Sequence, residues 1–206
     1  MQECPRCFWL AQHKVWKRPA GIFPSLSSGM DRILKNHFDK FRDQGKMPPE
    51  LCEGKAGKEC ANMKLFDDKE KLKIWQSNFK GVSWKDRKGN ELHGAVDNIL
   101  VKDKKLIVLD YKTRGYKLKE DTAEHYRLQQ NVYNFLLRKN GYKTEDYFFL
   151  LFYVPREVMA TGEVIFDTEL VKMKVDVDMA EKIWKKALEL LNSPCPKETC
   201  AWCERV

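Results

Sequence analysis

Asp97, Asp110 and Lys112 are the residues whose types and spacing best suit catalysis in this sequence. Asp110 and Lys112 stand two residues apart in VLDYKT, so on a strand their side chains share one face. Asp97 lies one apolar run earlier, in HGAVDNIL. If the two runs pair, the two carboxylates come together and offer the oxygen ligands that Mg²⁺ or Mn²⁺ prefers. Such an ion lowers the pKa of a bound water and neutralises charge on a phosphate. A lysine held beside it orients that water or stabilises the charge that builds on phosphorus. The plain alternative for a D-x-K triplet is a solvated strand end. Against it stands the cost of placing charges in apolar strands unless they are paired or ligated.

The cysteines are the second group with chemistry. Cys4-x-x-Cys7 and Cys200-x-x-Cys203 lie at opposite ends of the chain. Each short spacing lets two thiolates converge on one ion or cluster, and four such ligands suit tetrahedral Zn²⁺ or an iron–sulfur cluster. A metal held this way would tie the N- and C-termini together, and the entropic cost of closing so long a loop grows only logarithmically. Cys52 and Cys60, in a Lys- and Gly-rich stretch, have no matching spacing and are expected to be structural or incidental. The opening residues lack a basic leader followed by a long apolar stretch, so export is not expected and a cytoplasmic location is the default. Thiols there stay reduced, which favours metal binding or burial over disulfides.

The elements that must position these residues follow from periodicity. The segment SSGMDRILKNHFDKFRDQG (27–45) reads as a helix, with Ser27 or Ser28 as N-cap, Gly45 past its end and a stripe of Met30, Ile33, Leu34, Phe38 and Phe41. Residues 46–63 read as a loop. Residues 65–84 and 91–101 read as strands, and 105–113 as a buried strand that forms an antiparallel hairpin with 91–101. A long helix is expected at about 122–140, stopped by Gly141, then an apolar strand at 147–154, an exposed or edge strand at 162–175 and an amphipathic helix at 177–192. Helices before, between and after strands predict an α/β or α+β layered fold.

The 206 residues suffice for one domain with a real core, and 43% hydrophobic content marks a globular chain. No run of some eighteen apolar residues is present, so no membrane span is expected. Lys and Arg exceed Asp and Glu by 38 to 30, and the net charge of +8 makes a polyanionic partner plausible. Phe8, Trp9 and Trp16 alternate with Lys14, Lys17 and Arg18, a pattern suited either to stacking on single strands or to ordinary helix packing.

On these residues the sequence resembles the PD-(D/E)XK nucleases, in particular the RecB-like branch that includes the CRISPR-associated iron–sulfur exonucleases and AddB. GAVDNIL is similar to the strand with the first metal-binding aspartate, and VLDYKT to the (D/E)XK strand. Gln129-x-x-x-Tyr133 resembles the branch's Q-x-x-x-Y helix, and CPRCFWL and CAWC resemble its terminal cysteine motifs. The resemblance implies a restriction-endonuclease-like α/β core, a mixed central sheet flanked by helices. It implies a single nuclease domain over residues 1–206, with 1–28 and 193–206 forming the cysteine region. It also implies catalysis by Asp97, Asp110 and Lys112, supported by Gln129 and Tyr133. The metal set would include Asp97, Asp110, the Tyr111 carbonyl and an upstream-helix residue, here His37, with Asp31 flanking the same stripe and Asp39 pointing away.

The cysteine ligands would be Cys4, Cys7, Cys200 and Cys203 around a [4Fe–4S] cluster, with zinc as the alternative and Cys195 as a replacement for Cys7. The substrate implied is DNA, single-stranded and cut from an end. Protein partners in CRISPR adaptation, repair or phage defence are implied for the branch as a whole. Relatives often have a helix ahead of the first cysteine, so a shortened N-terminus is expected.

Overall fold

The computed structural model describes residues 1, 3–19, 21, 25–204 and 206. They fall into two compact units, Met1–Pro24 with Asp178–Val206, and Ser25–Val177. The helices are α1 (Pro5–Gln12), α2 (Ser25–Asp43), α3 (Gly54–Glu59), α4 (Lys69–Trp75), α5 (Arg127–Lys139) and α6 (Val177–Leu191). The strands are β1 (Lys64–Leu65), β2 (Val82–Lys85), β3 (Glu91–Gly94), β4 (Asn98–Lys102), β5 (Lys105–Thr113), β6 (Tyr147–Val158) and β7 (Val164–Lys174).

The larger unit is built on a five-stranded sheet in the order β1-β4-β5-β6-β7. Pairing is antiparallel except between β5 and β6, which run parallel. Parallel neighbours need a crossover, and α5 supplies it. The expected mixed sheet between helices is therefore present. Alternation along β5 divides the core. Leu106 and Val108 join Leu136, Leu137, Phe148 and Phe152 on the α5 side, while Ile107, Leu109 and Tyr111 join Leu34, Phe38, Phe149 and Leu151 on the α2 side. With both faces covered, the middle strands read as unbroken apolar runs.

The β4–β5 hairpin closes through Asp103 and Lys104, both in the left-handed region (φ 48° and 64°), with Lys102 opposite Lys105. Two such residues in succession form the primed turn whose twist matches that of the flanking strands.

Several elements depart from the expectations. Residues 65–84 hold the end of β1, then α4 and the start of β2, the helix arising because Asp68 caps it by accepting from the Lys71 amide at 2.9 Å. The 91–101 run is split. Its first half, β3, pairs with β2 in a separate two-stranded sheet, and only its second half, β4, joins β5. Asp97 thus lies at the bend before β4 rather than in mid-strand. The 46–63 stretch contains α3 and a short 3₁₀ turn at Pro49–Leu51, and the expected helix at 122–140 begins with a 3₁₀ turn at Thr122–Tyr126. At the N-terminus, α1 starts with Cys4 as N-cap, its sulfur accepting from the Cys7 amide at 3.4 Å.

Candidate active site and cysteine centre

Register brings the acids together. Asn98 pairs with Leu109 at the end of the β4–β5 ladder, so one further step sets Asp97 opposite Asp110. The Tyr111 amide donates to Asp97 Oδ2 at 3.0 Å, which aims that carboxylate across β5. The Gln76 side chain, just past α4, donates to the Asp97 carbonyl at 2.7 Å and pins the bend from behind. Asp110 is 2% exposed and ion-pairs with Lys112 from the same strand face.

From α5, Gln129 Oε1 accepts from Lys112 Nζ at 3.4 Å, and Gln129 Nε2 donates to the Tyr133 hydroxyl at 2.8 Å. The i, i+4 spacing makes this chain possible, since both side chains project from one helix face. The Lys112 ammonium also lies 4.7 Å from the Tyr126 ring centroid. Gly94 makes room for this packing, because a Cβ there would lie 2.7 Å from the Tyr133 ring. The structure thus brings Asp97, Asp110, Lys112, Gln129 and Tyr133 into one connected group. Tyr111 contributes its backbone, while its ring lies on the opposite face against Phe38, with its hydroxyl bonded to Asn98.

The α2 side differs from the sequence reading. His37 does not join the acids: its Nε2 is 2.9 Å from Glu50 Oε1, and that oxygen also accepts from the Tyr153 hydroxyl at 2.6 Å. The physical reason is helix phase. Lys35, two residues earlier, is the α2 side chain that reaches Asp97, at 3.4 Å, and it pairs with Asp31 at 2.8 Å. Sequence reasoning did not single out Lys35. The Asp31–Lys35 spacing of four was the available signal, but it is common on solvated helix faces. Asp39, expected to point away, pairs with Arg42, a buried residue that also donates to Asn98 Oδ1 at 2.6 Å and the Phe66 carbonyl at 2.7 Å. This ties α2 to β4 next to Asp97.

The electrostatics of the group are those of two acids competing for neutralisation. Burial and then the neighbouring Asp110 push Asp97 up to about 7, although Lys35 and Lys112 pull the other way. Burial opposes the Lys35 ammonium, but Asp97 and Asp31 outweigh it and raise its pKa. Burial, together with Asp110 and Asp97, also raises the Tyr133 hydroxyl. Asp110 Oδ2 is buried and accepts no hydrogen bond among the described residues, so the Lys112 ion pair is its compensation. Two convergent carboxylates, both balanced by lysines, fit a hard divalent cation.

The cysteines form the second centre. The sulfurs of Cys4, Cys7, Cys200 and Cys203 all lie within 4.8 Å of one another. Cys4 meets Cys203 at 3.8 Å and Cys7 meets Cys200 at 3.5 Å, so each pair joins the two chain ends. Backbone amides of Cys203 and Trp202 lower the Cys200 thiol to about 6. Cys195 stays outside this group, with Arg6 Nη1 3.4 Å from its sulfur. Trp9 and Trp16 pack against the cysteines, and Trp9 Nε1 donates to the Ser193 carbonyl at 3.0 Å, which gives these aromatics a structural use. Cys60 is buried, and burial pushes its thiol up to about 12; Cys52 is exposed. Neither joins a metal-ligand group among the described residues.

The family model of the PD-(D/E)XK nuclease superfamily matches residues 10–205. Neither a curated protein nor a solved structure matches the chain. No helix among the described residues is long and apolar enough to cross a membrane.

Proposed function

The chain belongs to the PD-(D/E)XK nuclease superfamily, and from that premise we propose that it is a Mg²⁺- or Mn²⁺-dependent deoxyribonuclease that degrades single-stranded DNA from an end. The observation that carries this reading is the meeting of Asp97 and Asp110 across β4 and β5, with Lys112 held between Asp110 and Gln129. The Gln129–Tyr133 pair, set against Lys112, supports the RecB-like branch, and the charge of +8 suits a phosphate backbone.

Asp97, Asp110 and the Tyr111 carbonyl would hold the divalent cation, which when bound neutralises the scissile phosphate and acidifies a water. Asp110 Oδ2, whose partner among the described residues is the Lys112 ammonium, would share that charge compensation with the cation. Lys112 Nζ lies beside that oxygen, from where it orients the attacking water and stabilises charge gathering on the phosphate. Gln129 and Tyr133 fix the lysine, so little reorganisation is left for the reaction itself. Lys35 steadies Asp97 from the α2 side. The cysteine centre, whether zinc or iron–sulfur, lies outside this chemistry and acts on the chain ends.

End-labelled single- and double-stranded oligonucleotides incubated with Mn²⁺ test the reading. The expected result is a ladder from one end on the single strand, lost in Asp110→Ala. Wild-type protein that binds DNA but leaves it intact would overturn the proposal and indicate a non-cleaving subunit with the same fold.

A further inference from the structure

The four cysteines are too closely set for the cluster that the family resemblance implies, and we infer that they hold a single tetrahedral zinc ion. The argument is one of size. Ligands sharing one ion at a Zn–S distance of about 2.3 Å stand about 3.8 Å apart at the corners of a tetrahedron. The sulfurs here stand 3.8 Å apart for Cys4–Cys203, 3.8 Å for Cys200–Cys203 and 3.5 Å for Cys7–Cys200. The widest separation in the group is within 4.8 Å. In a [4Fe–4S] cluster each thiolate binds a different iron at the corner of a cube, so its sulfurs must spread well beyond the spacing of ligands that share one ion.

Backbone amides and a guanidinium donate towards the sulfurs, which helps to offset the burial that pushes the Cys7 thiol up to about 12. The Cys7 amide donates to Cys4 Sγ and the Cys200 amide to Cys203 Sγ, each at 3.4 Å. Arg18 Nη2 lies 3.6 Å from Cys7 Sγ and 3.8 Å from Cys200 Sγ. Four thiolates around a divalent ion leave a net negative charge, and one guanidinium facing two of them offsets part of it. Soft sulfur ligands in a closed tetrahedral set with no open position suit structural zinc. The inference concerns the chain ends and stands apart from the nuclease reading.

The test is the metal content of the whole chain, purified anaerobically from cells grown with both zinc and iron in excess. The expected result is colourless protein with about one zinc per chain, no acid-labile sulfide, and the visible bands of tetrahedral cobalt thiolate after Co²⁺ exchange. Modifying the thiols of the wild-type protein should release the zinc to a reporting chelator, a readout that needs no variant to fold. Cys203→Ser should lose zinc, whereas Cys195→Ser and Asp110→Ala should keep it. Brown protein carrying iron, at any stoichiometry and in place of zinc, would overturn the inference. So would zinc that persists in Cys203→Ser or disappears in Cys195→Ser.

Discussion

The Asp97–Asp110–Lys112 group and the cysteine centre are both made of charged or ionisable side chains, yet they are organised by opposite means. Asp97, Asp110 and Lys112 sit on a hairpin whose neighbours Ile99, Leu100, Val108 and Leu109 are fully buried, with apolar packing on both faces. Strand register and the α5 face set their geometry before any ligand arrives. The cysteine centre has little such support: its buried apolar residues are Cys4, Cys7, Leu10 and Cys203, with Trp9, Trp16, Cys195 and Cys200 partly buried around them. So small a patch does not offset the entropy of ordering two chain ends. Metal–sulfur bonds would supply the difference, as in small metal-dependent domains. A preorganised site tolerates ligand loss, and a ligand-organised site does not.

The largest effect should come from taking the metal away from the cysteines. Structural zinc binding is worth on the order of 10 kcal/mol in small zinc domains. Chelation under reducing conditions should therefore abolish hydrogen-exchange protection in Pro5–Gln12, while amides in Asn98–Lys102 and Lys105–Thr113 stay protected. Equal protection in α1 with and without the metal would erase the contrast between the two sites. Lys112→Ala should come next, lowering the single-turnover cleavage rate by about 10²–10³, the range for losing one preorganised charge-stabilising group. Mn²⁺ in the assay supplies Asp110 with a counter-charge, so the strands should keep their protection. Cleavage at the wild-type rate would remove Lys112 from the chemistry.

The same contrast explains what the sequence made legible. The hairpin, α5 and the β5–β6–β7 sheet were readable because their signals are local: apolar runs of strand length, Gly141 after the helix, and D-x-K spacing that maps onto one face. The four converging cysteines were readable because each C-x-x-C unit is itself short. The misreadings arose where tertiary partners decide. Leu72 and Ile74 alternate as in a strand, but the Asp68 cap and the Leu72–Trp75 spacing give a helix. His37 shares its stripe with core residues, yet the phase of α2 turns it to Glu50 and sends Lys35 to Asp97. No feature of the sequence marks which of two polar residues on one helix will meet a strand end far along the chain.

Gly94 should sharpen the comparison by perturbing the preorganised site without touching its charges. In Gly94→Ala the new methyl group would lie 2.7 Å from the Tyr133 ring, so the ring must shift and carry the Gln129–Lys112 chain with it. Overpacking of this kind costs about 1–3 kcal/mol. The variant should melt earlier and cleave more slowly, with the zinc content unchanged. A variant that melts and cleaves like wild type would show that Tyr133 has room to move and positions nothing.

The most gradual effect is the dependence of stability on pH at Asp97. Its folded pKa, about 7, lies above the ordinary value of 3.8, so between those limits the folded chain binds more protons than the unfolded one. Stability contributed by the protonated form is therefore present at low pH and falls as the pH rises towards 7, by at most about 1.4 kcal/mol per pH unit. Without divalent metal, Asp97→Asn should flatten that decline and melt above wild type at pH 8, the advantage shrinking as the pH falls to 4. Added Mn²⁺ should reverse the ranking at pH 8, because the cation takes the proton's place on wild-type Asp97 and the amide of the variant is a poorer ligand. Melting curves of both proteins across this window, with chelator and with Mn²⁺, provide the check. Parallel pH profiles without metal would mean that Lys35 and Lys112 already neutralise Asp97 fully, and the acid pair would then have no unspent charge to offer a cation.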